Sequence, residues 1–130
     1  MITENIIKTL SELVSIQSIS SDTNHKEDVL KSAEYVNELF SSLGLETKIA
    51  TSGNSRPAVL AQTDIDPTKK TVLLYAHHDV QPVGDIDKWK NEPFTPKVID
   101  GRLFGRGSGD NKAGVVVPVS YTHLTLPTSV

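Results

Sequence analysis

Cysteine is absent from the 130 residues. That excludes disulfides and thiolate metal sites, so any bound metal must be held by nitrogen and oxygen donors. Charge of one sign never accumulates: the longest basic run is Lys69-Lys70, and the net charge is −3. A nucleic-acid partner is therefore not expected, because no basic patch is available to meet phosphates. No run approaches the roughly 18 consecutive apolar residues of a membrane-spanning helix. The opening Met1-Ile2-Thr3-Glu4-Asn5 lacks the basic and apolar regions of a secretory signal. The expected location is the cytoplasm, with no membrane partner. Neither an internal repeat nor a low-complexity tract is present. With 37% apolar and 22% charged residues, the composition suits one globular domain with a real core.

Apolar periodicity marks the elements. Ile6, Ile7, Leu10, Leu13 and Val14 recur at helical spacing, which predicts a helix over 4–17 with Thr3 as its N-cap. A Ser-rich loop over 15–23 follows. A second helix is expected from about His25 to Leu43, burying Val29, Ala33, Val36, Leu39, Phe40 and Leu43, with Gly44 ending it. Residues 45–50 alternate as a half-exposed strand does, and 58–62 form a second short strand. Thr71–Ala76 (TVLLYA) is apolar on both faces, the pattern of a central buried strand. Residues 97–99 and 102–104 flank Asp100-Gly101, a hairpin turn. Asn111–Val117 could open a helix, although three consecutive valines weigh against it. Early helices, short strands and one buried strand indicate an α/β sheet with helices packed on it.

Two segments carry chemistry: Tyr75-Ala76-His77-His78-Asp79-Val80-Gln81-Pro82 and Gly105-Arg106-Gly107-Ser108-Gly109-Asp110-Asn111-Lys112. Residues two apart in extended chain point to the same side. His77 and Asp79 would share a face while His78 points away, and Asp79 could fix the tautomer that leaves the other His77 nitrogen free for a metal. Taken in isolation, a His-x-Asp more often is a histidine that ends a strand with a satisfied hydrogen bond. Asp110 leaves a glycine-rich loop, where backbone can approach a site closely. It could bind one metal or bridge two, or simply cap the next helix. The glycines do not form a dinucleotide fingerprint, because the sixth position is Asp110 and the segment follows a hairpin. Trp89, Pro93 and Phe94 read as a loop tied down by packing. Arg106 is a candidate partner for a carboxylate or substrate, and His25 a helix-start residue.

At these residues the chain resembles the M20 family of metallopeptidases, which includes dipeptidases and N-acyl amino acid deacylases. The resemblance runs from Leu73 to Gly114, with His-x-Asp, Trp89, Pro93-Phe94, Asp100-Gly101 and Gly-Arg-Gly in order. His-His-Asp-Val-Gln-Pro is most similar to the dipeptidase branch. The resemblance implies a partial three-layer α/β/α catalytic domain and a zinc-dependent hydrolase of dipeptides or small peptides, with two zinc ions that cobalt or manganese could replace. It implies that His77 is a metal ligand, that Asp110 bridges the two ions, that Asp79 orients His77, and that a cis peptide follows Asp110. The general-base glutamate, the remaining ligands and a lid or dimerisation domain, with a homodimeric parent, are implied beyond this chain. The fragment alone is therefore expected to bind metal weakly and to be inactive. Asn111 stands where a second aspartate is usual, and Ala76 and Ala113 replace common glycines. The alternatives are an N-acyl amino acid deacylase and a non-catalytic metal-binding module.

Residues 1–118 are expected to form the N-terminal part of the catalytic domain. From Val119 the sequence VSYTHLTLPTSV loses its helical period between Pro118 and Pro127. It is similar to the translation of a transposase adapter, so residues 119–130 are expected to be a non-native tail.

Overall fold

A computed structural model describes the backbone of residues 2–125 and the side chains of 4–120. It contains helix α1 (Ile2–Ser15), helix α2 (Lys26–Ser41), strands β1 (Glu46–Ala50), β2 (Ala58–Gln62), β3 (Lys97–Ile99) and β4 (Arg102–Phe104), and helix α3 (Lys112–Thr125). Helix α1 begins at Ile2, so Thr3 lies inside it rather than capping it. Its stripe is buried as the spacing requires: Leu13 and Val14 are fully enclosed and Leu10 nearly so. Burying each such side chain contributes about 1.5–3 kcal/mol.

That stripe packs against α3. Leu10, Leu13, Val14 and Ile16 form one core cluster with Val36 of α2 and with Val115 and Val116 of α3. The valine run is thus helical despite its β-branched side chains, because two of the three valines are buried by α1. The helix also runs through Pro118 to Thr125. The period was expected to fail at Val119, yet Val119 is itself buried. Apolar burial offsets the backbone bond that proline cannot donate.

Helix α2 covers the β1–β2 hairpin, whose antiparallel register pairs Glu46 with Gln62 and Ala50 with Ala58. Gly44, at φ 79°, sits in the left-handed conformation that terminates α2. Strands β3 and β4 make a second antiparallel pair. Asp100 and Gly101 have φ of 50° and 73°, as a two-residue turn of the primed type requires.

The expected central strand does not form. Thr71–Ala76 is not a strand, and Val72, Leu73, Leu74 and Tyr75 are 76%, 88%, 67% and 86% exposed. A strand apolar on both faces needs neighbours at both edges and over both faces. Among the described residues, the only ladder contact near it is an isolated parallel bridge further on, between Ile19 and Val80. The α/β class stands, but among the described residues the sheets are two separate antiparallel pairs. Among the described residues no helix is long and apolar enough to cross a membrane.

Candidate metal centre

The His-x-Asp segment is held in place by the loop that follows α1. Val80 N–H donates to the Ser18 carbonyl at 2.9 Å, and Ser20 N–H donates to the Val80 carbonyl at 3.3 Å. The buried Ser18 hydroxyl donates to the His78 carbonyl at 2.8 Å. These bonds lock residues 78–80 in extended form, and the side chains alternate accordingly.

His78 turns inward. Its Nδ1 lies 3.1 Å from the Ser32 hydroxyl and its Nε2 donates to the Pro57 carbonyl at 3.1 Å. Burial pulls the imidazole below its ordinary pKa, with the Pro57 carbonyl and the Asp79 charge opposing less strongly. Both nitrogens are therefore occupied, and the ring is structural. Ser32 is buried on α2 because its hydroxyl serves this histidine.

His77 faces the other way. Its Nδ1 is 3.2 Å from Asp79 Oδ1 and its Nε2 is 3.0 Å from Asp110 Oδ1. The second oxygen of Asp79 accepts a hydrogen bond from the Ser20 hydroxyl. Arg56 reaches across to donate from Nε to the Ser20 carbonyl at 2.7 Å. A line of contacts thus runs from Arg56 through Ser20 and Asp79 to His77 and on to Asp110.

Asp110 approaches from a loop that ends at α3. The Asp110–Asn111 peptide is cis, and Gly107 has φ 86°. A Cβ on Gly107 would come within 2.6 Å of Val80 Cγ1, so only glycine lets this loop lie against the His-x-Asp segment. The Lys112 side chain is fully buried behind the loop, and its Nζ donates to the Leu13 and Ile16 carbonyls, both at 2.8 Å. Burial draws its amine down to about 7, with the Asp79 charge pulling in the opposite direction.

His77, Asp79, Val80, Gln81, Arg106 and Asp110 line an open cavity of about 150 Å³. Arg106 donates to the Pro82 carbonyl at 3.0 Å and lies over the Trp89 ring, 5.0 Å from its centroid. Trp89 Nε1 donates to the Val83 carbonyl at 2.9 Å, and Pro93 is fully buried. The aromatic–proline loop is held by packing, and Arg106 belongs to that packing while also bordering the cavity. His25 pairs with Asp28 at 2.8 Å, far from this chemistry in role.

The donor set fits a cation. The Asp79 carbonyl lies 3.1 Å from Nδ1, with the Asp79 carboxylate beside it, and a proton donated there from Nδ1 leaves Nε2 as an acceptor. An ionised Asp110 is also an acceptor, and two acceptors 3.0 Å apart require a positive charge between them, either a proton or a metal. Two donors of one tetrahedral ion stand roughly 3.4 Å apart when each is about 2.1 Å from it. Among the described residues, however, no group of three or more His, Asp or Glu side chains could hold a metal. The described residues therefore offer part of a coordination sphere.

Known proteins resemble this chain in sequence and in fold. Residues 73–123 match the profile of Peptidase family M20/M25/M40. The chain is 37% identical over 123 residues to the Cys-Gly metallodipeptidase of Schizosaccharomyces pombe, covering 87% of this chain and 26% of that one. It is 30% identical over 125 residues to human Beta-Ala-His dipeptidase, covering 87% and 25%. The crystal structure of human carnosine dipeptidase 1 superposes with a TM-score of 0.85 at 29% identity, over 93% of this chain and 29% of that chain. The fold and the matched segment define a metallopeptidase-type α/β domain. The chain belongs to peptidase family M20/M25/M40 and is dipeptidase-like within it. It spans about a quarter of the length of the curated relatives it matches.

Four residues that matter here were not singled out from sequence: Ser18, Ser20, Ser32 and Lys112. Ser18 and Ser20 flank Ile19 in a polar–apolar–polar alternation, which is the signal of a short extended stretch within the Ser-rich loop.

Proposed function

We propose that this chain contributes one terminal ligand and one bridging ligand to the metal centre of a dipeptide-cleaving hydrolase. His77 Nε2 and Asp110 Oδ1 are the donors, and Asp79 holds His77 in the tautomer that turns Nε2 outward. Zinc is the expected ion for an imidazole–carboxylate site, with cobalt or manganese able to substitute. The observation that carries this reading is the 3.0 Å approach of Nε2 to Oδ1, two acceptors that need a cation between them. The dipeptidase relatives support small peptides as the substrate class.

When bound, the ion would supply Lewis-acid polarisation of the scissile amide carbonyl. The chain's own residues do the positioning. Asp79 fixes the His77 ring, Ser20 fixes Asp79, and the Gly107 turn brings Asp110 to the open side of the cavity. At 91% exposure the Asp110 carboxylate is accessible from the side opposite His77, as a bridging group must be. A tetrahedral ion needs four donors. The 130-residue chain should therefore bind metal weakly and should not hydrolyse peptides.

We read residues 1–118 as the native part of the domain and 119–130 as adapter-derived, and we place the parent in the cytoplasm. Sequencing the source DNA through codon 130 should reveal adapter sequence; continuous adapter-free coding sequence would overturn that reading. The function is tested on a chain extended to the length of its relatives. It should hydrolyse a dipeptide only with metal present, and His77→Ala and Asp110→Ala should both abolish turnover. Hydrolysis of N-acetyl amino acids in preference to dipeptides would instead assign a deacylase. Metal binding without either activity would leave a binding module.

A further inference from the structure

Lys112 lies two residues beyond Asp110 and is the largest fully buried side chain among the described residues. Helix α1 has no basic residue in its last turn, so nothing local neutralises its carboxyl end. Lys112 fills that role from 96 residues away in sequence, donating to Ile16 O as well as Leu13 O. A cation-capable donor at a helix C-terminus satisfies orphan carbonyls and opposes the negative end of the dipole. The same residue grips the loop at its other end, where Lys112 N–H donates to the Gly107 carbonyl at 3.0 Å. Its aliphatic stem also packs on Gly107, so that a Cβ there would lie 3.3 Å from Lys112 Cδ. The Gly107–Lys112 loop is thereby closed on itself and bolted to α1. The loop that follows α1 holds His78 and Asp79, so both halves of the candidate centre are referred to one helix end.

We propose that Lys112 is a positioning residue: by clamping the Asp110 loop to the carboxyl end of α1, it sets the approach of Asp110 to His77. A purely structural lysine would support overall stability. A positioning lysine controls the loop and the donor spacing, and these can be lost while the helices remain folded.

The absence of cysteine allows a clean test. In Lys112→Met the stem is kept and both donated bonds are lost. In Lys112→Cys, unfolded and alkylated with 2-bromoethylamine, the sole thiolate displaces bromide and forms a C–S bond. The product restores an amine at lysine length once the chain refolds. Two readings are taken: amide hydrogen exchange across 105–112, with α2 as the internal reference, and Co²⁺ affinity by calorimetry. In Lys112→Met, loop exchange should accelerate by about ten-fold or more while α2 changes by less than about two-fold. Co²⁺ affinity should fall roughly ten-fold, the usual loss when a group supporting a metal ligand is removed. Aminoethylation should restore both. If loop exchange in Lys112→Met stays within about two-fold of the parent, or the restored amine fails to slow it, the proposal is overturned. Should Lys112→Met fail to fold, Lys112→Gln retains one donor and is read in the same way, and unchanged loop exchange there also overturns it. The cobalt arm rests on the metal-centre reading. If the unaltered chain binds no Co²⁺ while Lys112→Met still loosens the loop and aminoethylation tightens it, the clamp stands and the metal reading falls.

Discussion

Two apolar runs of this chain meet opposite fates. Val115, Val116 and Val119 are buried in α3 at 5%, 1% and 5% exposure, whereas Val72 to Tyr75 stand between 67% and 88% exposed with no strand formed. Local preference would have assigned them otherwise. The valine run has poor helix propensity and contains a proline, while TVLLYA has the composition of an ideal inner strand. The difference lies in the partners. The valines find the Leu10–Leu13–Val14 stripe of α1, and residues 72–75 find no facing element among the described residues. Propensity proposes an element, but burial against a second element decides whether it forms.

The largest effect that could break this contrast is in the core. Leu13→Ala should destabilise the fold by about 2–5 kcal/mol, while Leu73→Ala should change it by less than about 0.5 kcal/mol, as exposed sites do. Urea denaturation of both variants measures the difference. Equal losses would show that residues 72–75 are packed in solution.

Next in size is the centre itself. His77→Ala or Asp110→Ala should weaken Co²⁺ binding at least roughly ten-fold while leaving the melting temperature close to the parent's, because neither side chain belongs to the core. His78→Ala should do the reverse, since its ring bridges Ser32 and Pro57: a clear loss of stability, with any change in affinity following from that loss.

Smaller again is Ser20→Ala. It leaves one oxygen of Asp79 without its hydroxyl partner and should cost about 1 kcal/mol, read as a lower urea midpoint.

The smallest effect appears at high pH. Burial raises the Tyr35 phenol above its ordinary value, assisted by its hydrogen bond to Glu12 and by the Glu12 charge. The folded chain therefore holds this proton after the unfolded chain has released it. That contribution is complete below about pH 10, the value for free tyrosine, and is lost as pH rises above it. Tyr35→Phe should flatten the fall in stability above about pH 10 and leave the neutral range nearly parallel to the parent.

Much of this was legible from residue order. The stripe of α1, the Gly44 stop, the two short strands at 46–50 and 58–62 and the Asp100-Gly101 turn all follow from local rules, and each lies within a residue or two of its expected place. The separation of His77 from His78 followed from two-residue alternation alone. What local rules could not supply was long-range. Nothing near Lys112 reveals that it caps a helix 96 positions earlier. Nothing in Ser18, Ser20 or Ser32 announces His78 and Asp79 as their partners. The fate of Thr71–Ala76 depended on neighbours, which its own sequence does not contain.

The most direct test is ¹⁵N spectroscopy of the histidine rings during a Zn²⁺ titration. His77 should carry its proton on Nδ1 and show a large shift at Nε2 as metal is added, His78 should stay unchanged, and Asp110→Ala should abolish the response. If both His77 nitrogens are unmoved by excess Zn²⁺, or the same shift persists in Asp110→Ala, His77 and Asp110 do not share a cation.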